Sequence, residues 1–265
     1  MNERESARPL AWSRIALGGL FLLRTTPLLA PLHLPFTLGT YPLLGWPSSG
    51  WHGAPVSLAA APSLVAAACV LRTVSGFCFM IGYRTSLFGV LAGASGYFVL
   101  FQDPFGFNAT IHLLLQGAFL LALTDAGSAL AVRPAPVRNP ASSKLLVRAF
   151  LASIYFWAGF VKLRRDWFDG RTLALFQKNG AISGVFSDFL LHAAWSRSLV
   201  ACTIVTTELS LPVLLLWRKS RRFAPLLALA LHASIELAAH PDLLGWEMAA
   251  LLLCLLPLDA ACESA

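Results

Sequence analysis

Long apolar stretches separated by short polar turns dominate the chain. A helix crosses the hydrocarbon layer of a bilayer with roughly 20 apolar residues. Only helices and closed barrels satisfy their backbone groups in lipid, and the alternating ten-residue segments of a barrel are absent. The pattern therefore predicts an all-α polytopic transmembrane bundle. The predicted spans are Trp12–Ala30, Ser63–Ile81, Ser86–Gln102, Asn108–Asp125, Leu145–Leu163, Leu199–Trp217, Ala224–Ala239 and Leu243–Leu258, and because several are short, the total is seven or eight.

Composition supports the assignment to a membrane. Hydrophobic residues make up 57% of the 265 residues and charged residues only 12%, with a mean hydropathy of +0.68. Soluble domains carry about 25% charged residues, so much of this surface must face membrane lipids. The net charge of +7 comes from clusters between apolar stretches, which disfavours nucleic acid as a partner. The five cysteines form no CxxC pair, and no metal is predicted.

The basic residues also predict the orientation. With the N-terminus in the cytoplasm, the inner connections contain Arg84, then Arg133 to Lys144, then Arg218 to Arg222. The outer connection 31–62 contains no Lys or Arg. This asymmetry follows the positive-inside rule. It places the segment from Lys162 to Gly170 on the external side.

The stretch 164–198, after the fifth span, departs from that rule. It lies outside in this topology, yet it is basic and rich in aromatic residues. Segments that are both amphipathic and aromatic favour the membrane surface. We predict interfacial helices here.

Lys162, at the end of the fifth span, is the most informative ionisable residue. A charge near the bilayer centre costs about 2.5–3.5 kcal/mol, so such residues are candidates for function. One alternative is a lysine that snorkels to the interface, although Arg164 and Arg165 already supply that anchor. The other is an inward lysine whose neutral form is favoured by desolvation, which would make it a general base.

Two further groups of polar residues lie in predicted spans. His232 and Glu236 share a helix face, and Glu208 lies in the preceding span. They form either an interhelical packing cluster or a polar pocket with a proton relay. Asn108 and His112 share a face of the fourth span, on the same external side as Lys162. His112 is either a structural donor or part of a site.

One motif resembles a known family. The run Tyr155-Phe156-x-Ala158-Gly159-x-x-Lys162-Leu163-x-x-Asp166-Trp167-x-x-Gly170 resembles the vitamin K-dependent γ-carboxylase and the wider HTTM family that shares its helical domain. The resemblance implies a single HTTM-like transmembrane domain over residues 1–265. It implies that Lys162 is the catalytic base. The residues expected to bind substrate are Asn108, His112, Asp166, Trp167, Glu208, His232 and Glu236.

The family's reaction implies the ligands. The carboxylase oxidises reduced vitamin K with O2, and the strong base so formed removes a proton from a glutamate, to which CO2 adds. Reduced vitamin K or menaquinol, O2 and CO2 are thus the implied cofactors. A lipid-soluble quinone-like ligand and a protein or peptide substrate are the implied partners. Such an enzyme combines oxidoreductase and lyase chemistry.

The chain departs from the carboxylase at three points. The 265 residues hold no counterpart of the large peptide-binding extramembrane domain. Asn108 and His112 are separated by three residues where the family has an adjacent Asn-His pair, and Val161 stands where the carboxylase has a second lysine. Quinol chemistry is therefore expected rather than protein carboxylation. The alternative is a non-enzymatic membrane scaffold or accessory subunit of a redox or modification system. A transporter is disfavoured because no inverted repeat is evident.

Overall fold

The computed structural model describes residues 7–25, 62–101, 109–182, 185–238 and 243–256, which form helices joined by turns, with no β-strand among them. This confirms the predicted all-α class. The helices are α1 (Arg8–Thr25), α2 (Pro62–Ile81), α3 (Thr85–Leu100), α4 (Ala109–Ala122), α5 (Pro140–Val161), α6 (Arg165–Phe168), α7 (Arg171–Lys178), α8 (Val185–Leu190), α9 (Ala194–Leu216), α10 (Ala224–Ala238) and α11 (Leu244–Leu252).

Several helices begin or end at residues other than those of the predicted spans. Helix α5 begins at Pro140 rather than Leu145, and α9 begins at Ala194 rather than Leu199. Hydropathy misses both starts because polar residues occupy these first turns. Helix α4 ends at Ala122, and Asp125 belongs to a separate 3₁₀ turn, Asp125–Gly127. The Thr124 side chain accepts a hydrogen bond from the Ala126 N–H and so caps that turn.

Three helices are long and apolar enough to cross a membrane, namely Ser63–Ile81, Pro140–Val161 and Ala194–Leu216. Helices α3, α4, α10 and α11 are apolar but shorter. Helix α1 is not in this set because it carries Arg8, Arg14 and Arg24. Large apolar side chains also lie on the surface, as expected of a membrane protein: Val70 and Val213 are more than half exposed. The total of seven or eight spans stays a prediction.

The chain forms two compact units, Met1–Ser143 and Lys144–Ala265, with the boundary in the first turn of α5. In the first unit α1 packs against α2 and α4, and α3 packs against both α2 and α4. Close packing relies on small residues: a Cβ on Gly18 would lie 2.7 Å from the Met80 Cβ. The single domain over residues 1–265 stays a prediction.

A buried arginine organises the polar end of the first unit. Arg14 is fully buried, and its guanidinium donates hydrogen bonds to the carbonyl oxygens of Ala126 (2.6 Å), Ala129 (3.3 Å) and Leu130. These carbonyls lie in the turns after α4, where no helix supplies donors. Leu130 has a positive φ of 47°. Arg14 therefore holds an irregular loop that would otherwise bury carbonyls without donors.

Asp125 fixes the same loop from its other side. Its carboxylate accepts hydrogen bonds from the N–H groups of Arg138 (2.9 Å) and Asn139 (2.8 Å) and from the Ser143 hydroxyl (3.1 Å). Two backbone donors and one hydroxyl suit an ionised carboxylate. The start of α5 is thereby tied to the turn that follows α4.

We predict that Arg14→Met lowers the apparent melting temperature, since each buried carbonyl left without a donor costs about 1–3 kcal/mol. Arg8→Met is the matched control because Arg8 lies on the same helix and is exposed. Thermal unfolding in detergent, followed by circular dichroism, measures the difference. Equal melting of the two variants would contradict the structural role of Arg14.

Candidate functional site: a buried ion pair in the second unit

The turn after α5 contains much of the family motif. Helix α6 begins at Arg165, three residues after Lys162, and Gly170 precedes α7 with a φ of 73°, a conformation that favours glycine. A Cβ on Gly170 would lie 2.6 Å from the Arg197 Cβ and 3.0 Å from the Ser198 backbone nitrogen in α9. Leu173 of α7 packs with Leu191 and Ala201, and Trp167 lies against them.

The short helices α6 and α7 agree with the predicted segment after the fifth span. Leu173 is the buried residue of α7, whereas Leu175 and Phe176 are exposed. The position of these helices at a membrane interface stays a prediction. Residues 194–198 belong to α9, not to this segment.

Lys162 points to a carboxylate. Its Nζ lies 2.7 and 2.8 Å from the two carboxylate oxygens of Glu208 and 3.0 Å from the carbonyl oxygen of Ala158. An ammonium has three N–H donors, and here each has an acceptor. The Lys162 side chain is 18% exposed and that of Glu208 is 8% exposed. This geometry favours the inward lysine over the snorkelling one.

Gly159 has no side chain and so allows α5 to lie close to α9. A Cβ on Gly159 would lie 2.8 Å from the Leu209 Cγ and 3.2 Å from the Glu208 Cβ. Small residues allow this kind of close helix approach. Pro212 lies one turn after Glu208 in α9 and has no N–H to donate to the Glu208 carbonyl. The pair therefore forms where α5 contacts a turn of α9 in which Pro212 supplies no backbone N–H.

Trp167 contacts Lys162, whereas Asp166 pairs with a different residue. The Trp167 ring centroid lies 5.5 Å from Nζ, within the range of a cation–π contact. The Asp166 side chain is 68% exposed and faces the Arg171 guanidinium at 3.9 Å. In these contacts Trp167 is part of the lysine site, whereas Asp166 forms a surface ion pair.

A second polar pair lies deeper in the same unit. The hydroxyl oxygen of Tyr155 is 2.9 Å from the His232 Nε2, and both side chains are buried. Helix periodicity places Tyr155 of α5 in line with Lys162, which lies seven residues later and directly follows the last residue of that helix. Tyr155 was missing from the predicted site, although this spacing could have revealed it.

Glu236 has a different contact. Its carboxylate accepts a hydrogen bond from the Gly245 N–H at 3.0 Å, at the start of α11. A carboxylate stabilises a helix N-terminus, where the N–H groups have no intrahelical partner. This contact favours the packing interpretation for Glu236, even though it shares a helix face with His232.

His112 belongs to the first unit. Its Nδ1 lies 2.7 Å from the Tyr97 hydroxyl, and its Nε2 lies 2.8 Å from the Gln116 amide nitrogen. With both ring nitrogens occupied, the structural interpretation of His112 is favoured. Asn108 lies outside the described residues. Within the described ranges no three His, Cys, Asp or Glu side chains form a group that could hold a metal ion.

The fold and the buried ion pair define an all-α membrane protein with charged groups inside its helical part. The HTTM domain model matches residues 57–259 and thus spans both compact units. The chain belongs to the HTTM-domain family, and the expected resemblance is confirmed at that level. No curated protein and no solved structure matches the chain.

The ion pair predicts a double-mutant result. Lys162→Met alone leaves a carboxylate buried without its counter-ion, which costs about 3 kcal/mol. Replacing both partners by apolar residues removes that penalty. We therefore expect Lys162→Met/Glu208→Leu to melt above Lys162→Met, with Lys178→Met, at an exposed lysine, as the control. A double variant less stable than both single ones would contradict the pairing.

Gly159 predicts a packing result. We expect Gly159→Ala to separate α5 from α9 and to lower the melting temperature, because its methyl group meets Leu209 and Glu208. The matched control is Gly19→Ala, since a Cβ there meets nothing within 4 Å. Alanine has the higher helix propensity, so the control should be neutral or stabilising. A Gly159→Ala protein as stable as the control would show that the close approach is unimportant.

Proposed function

We propose that this protein is a membrane enzyme whose Lys162–Glu208 pair removes a proton from a lipid-soluble quinol. The observation that carries the proposal is the ammonium–carboxylate pair itself, held at 2.7 Å with both side chains largely buried. Buried ion pairs add little stability compared with apolar residues of similar size. Charged residues in membrane helices are usually retained for function.

The pair acts as a base through a proton shift. As an ammonium with three acceptors, Lys162 has no lone pair to receive a proton. When Nζ passes a proton to a Glu208 oxygen, both side chains become neutral and Nζ can accept the proton of a substrate hydroxyl. The net result is one proton on Glu208 and an ammonium beside the new oxyanion. That ammonium stabilises the negative charge in a site of low dielectric constant.

The position of Trp167 beside Lys162 favours a flat aromatic substrate. Its ring lies beside Nζ, and Lys162 retains some exposure where a ligand can reach it. An aromatic ring stacks favourably on an indole ring. A quinol on Trp167 would have its hydroxyl beside Nζ, and general-base geometry requires that contact.

The family resemblance extends this proposal to cofactors and topology. Reduced vitamin K or menaquinol is the substrate, O2 is the oxidant, and CO2 would enter only if a protein or peptide is carboxylated. The basic connections support a multi-pass topology with a cytoplasmic N-terminus and Lys162–Gly170 outside. His112 and Glu236 remain predicted ligand residues, although their contacts favour structural roles.

A second candidate function is non-enzymatic. The three acceptors around Nζ are all protein groups, so the pair also fits a scaffold or accessory subunit that only needs its helices fixed. In that case the charge of Lys162 matters and its ability to lose a proton does not. The two candidates therefore predict different effects of replacing Lys162 by arginine.

Lys162→Arg separates them, since arginine keeps the positive charge but does not deprotonate in proteins. We expect wild-type protein in nanodiscs to consume O2 with reduced vitamin K or menaquinol. We expect Lys162→Arg to keep the melting temperature and lose at least about a hundredfold in turnover, the usual contribution of a general base. Lys178→Arg, at an exposed lysine, is the matched control.

Two other outcomes would favour the non-enzymatic candidate. Unchanged turnover in Lys162→Arg would remove Lys162 as the base. A folded wild-type protein that turns over neither quinol would favour the scaffold or accessory role.

A further inference from the structure

The buried imidazole of His232 has one nitrogen that the protein leaves without a partner. The side chain is 7% exposed, and Nε2 lies 2.9 Å from the Tyr155 hydroxyl oxygen. Among the described residues, Nδ1 has no hydrogen-bond partner. If Tyr155 donates to Nε2, Nδ1 carries a hydrogen with no acceptor. In the other tautomer Nδ1 is an acceptor with no donor.

This unsatisfied atom is unusual in a buried position. A buried polar group without a partner costs about 1–3 kcal/mol, and native structures contain few of them. The tyrosine bond holds the imidazole ring in its orientation, so the ring does not turn to satisfy Nδ1 without losing that bond. Nδ1 is therefore suited to a partner that comes from outside the chain.

The position of His232 relates it to the ion pair. Tyr155 lies in α5, and Lys162 directly follows the last residue of that helix, about 10 Å further along its axis. Glu208 bonds Lys162, and Tyr155 bonds His232. Lys162, Glu208, Tyr155 and His232 thus form two hydrogen-bonded pairs within the second unit, one in α5 and one directly after it. Two of them offer a contact to a ligand: Nζ after its proton shift, and Nδ1.

We propose that His232 Nδ1 binds a second oxygen of the ligand, so that the site selects aromatic compounds with two oxygens over those with one. This inference rests on the proposed function, in which the first oxygen is the hydroxyl beside Nζ. A hydroquinone carries its oxygens on opposite edges of one ring. Tyr155 acts as a positioning residue because it fixes the ring of His232 and makes no contact with the ligand.

Ligand selectivity tests the proposal without any variant. The probes are 2-methyl-1,4-naphthoquinol and 2-methyl-1-naphthol, which differ by one hydroxyl, added under argon to protein in nanodiscs. Affinity is read from tryptophan fluorescence. We expect the two-oxygen probe to bind about five- to tenfold more tightly, the value of one buried hydrogen bond. Equal affinity for the two probes would overturn the proposal, and a water molecule at Nδ1 would then be its simplest partner.

His232→Gln tests the residue itself. A glutamine amide reaches the position of Nε2 and keeps a bond to Tyr155, but it has no atom at the position of Nδ1. We expect this variant to bind both probes equally, with affinity for the one-oxygen probe unchanged. His192→Gln is the matched control, since His192 is exposed in the same unit. A preference retained in His232→Gln would overturn the assignment.

The tests separate this inference from the proposed function. If the wild type binds neither probe, the proposed function and the second-oxygen contact are both contradicted. If it binds and turns over quinol but shows no preference that depends on His232, only the second-oxygen contact fails. If His232→Gln does not fold, Tyr155→Phe replaces it. Loss of the tyrosine bond frees the ring, and the preference should fall while binding of the one-oxygen probe remains; an undiminished preference would overturn the proposal.

Discussion

A charged group buried among apolar helices needs a polar partner that satisfies both its charge and its hydrogen bonds, because neither lipid nor apolar side chains can do so. The second unit meets this requirement with Lys162 and Glu208, which lie on different helices. Gly159 allows the approach of those helices, and Gly170 allows the following turn to pack against α9. The motif thus combines one ammonium–carboxylate contact with two glycines that allow close packing around it.

The first unit meets the same requirement differently. Arg14 is fully buried and bonds backbone carbonyls rather than a carboxylate. The guanidinium suits this task because it presents several donors in a fixed plane. Its partners are carbonyl oxygens of an irregular loop, which need donors but offer no proton chemistry. This contrast explains why we assign a structural role to Arg14 and a chemical role to the lysine pair.

Much of the fold could be predicted because hydropathy reports directly on helices in lipid. The helix starts at Pro140 and Ala194 were missed since their first turns are polar. The residue types of the site were also predictable, but their pairing was not. Sequence spacing relates Tyr155 to Lys162 through the period of α5, whereas the contacts of Lys162 with Glu208 and of Tyr155 with His232 join residues 46 and 77 positions apart. Glu236 shares a face with His232, and yet it bonds the start of the next helix.

The location of the transferred proton is the most direct test of the account. Infrared difference spectra, recorded as reduced vitamin K is added to the protein in nanodiscs under argon, report the protonation of carboxylates. The account predicts a carboxylic-acid band that appears in the wild type and is absent from Glu208→Gln. Binding of the quinol without any such band would contradict the claim that the Lys162–Glu208 pair takes up its proton.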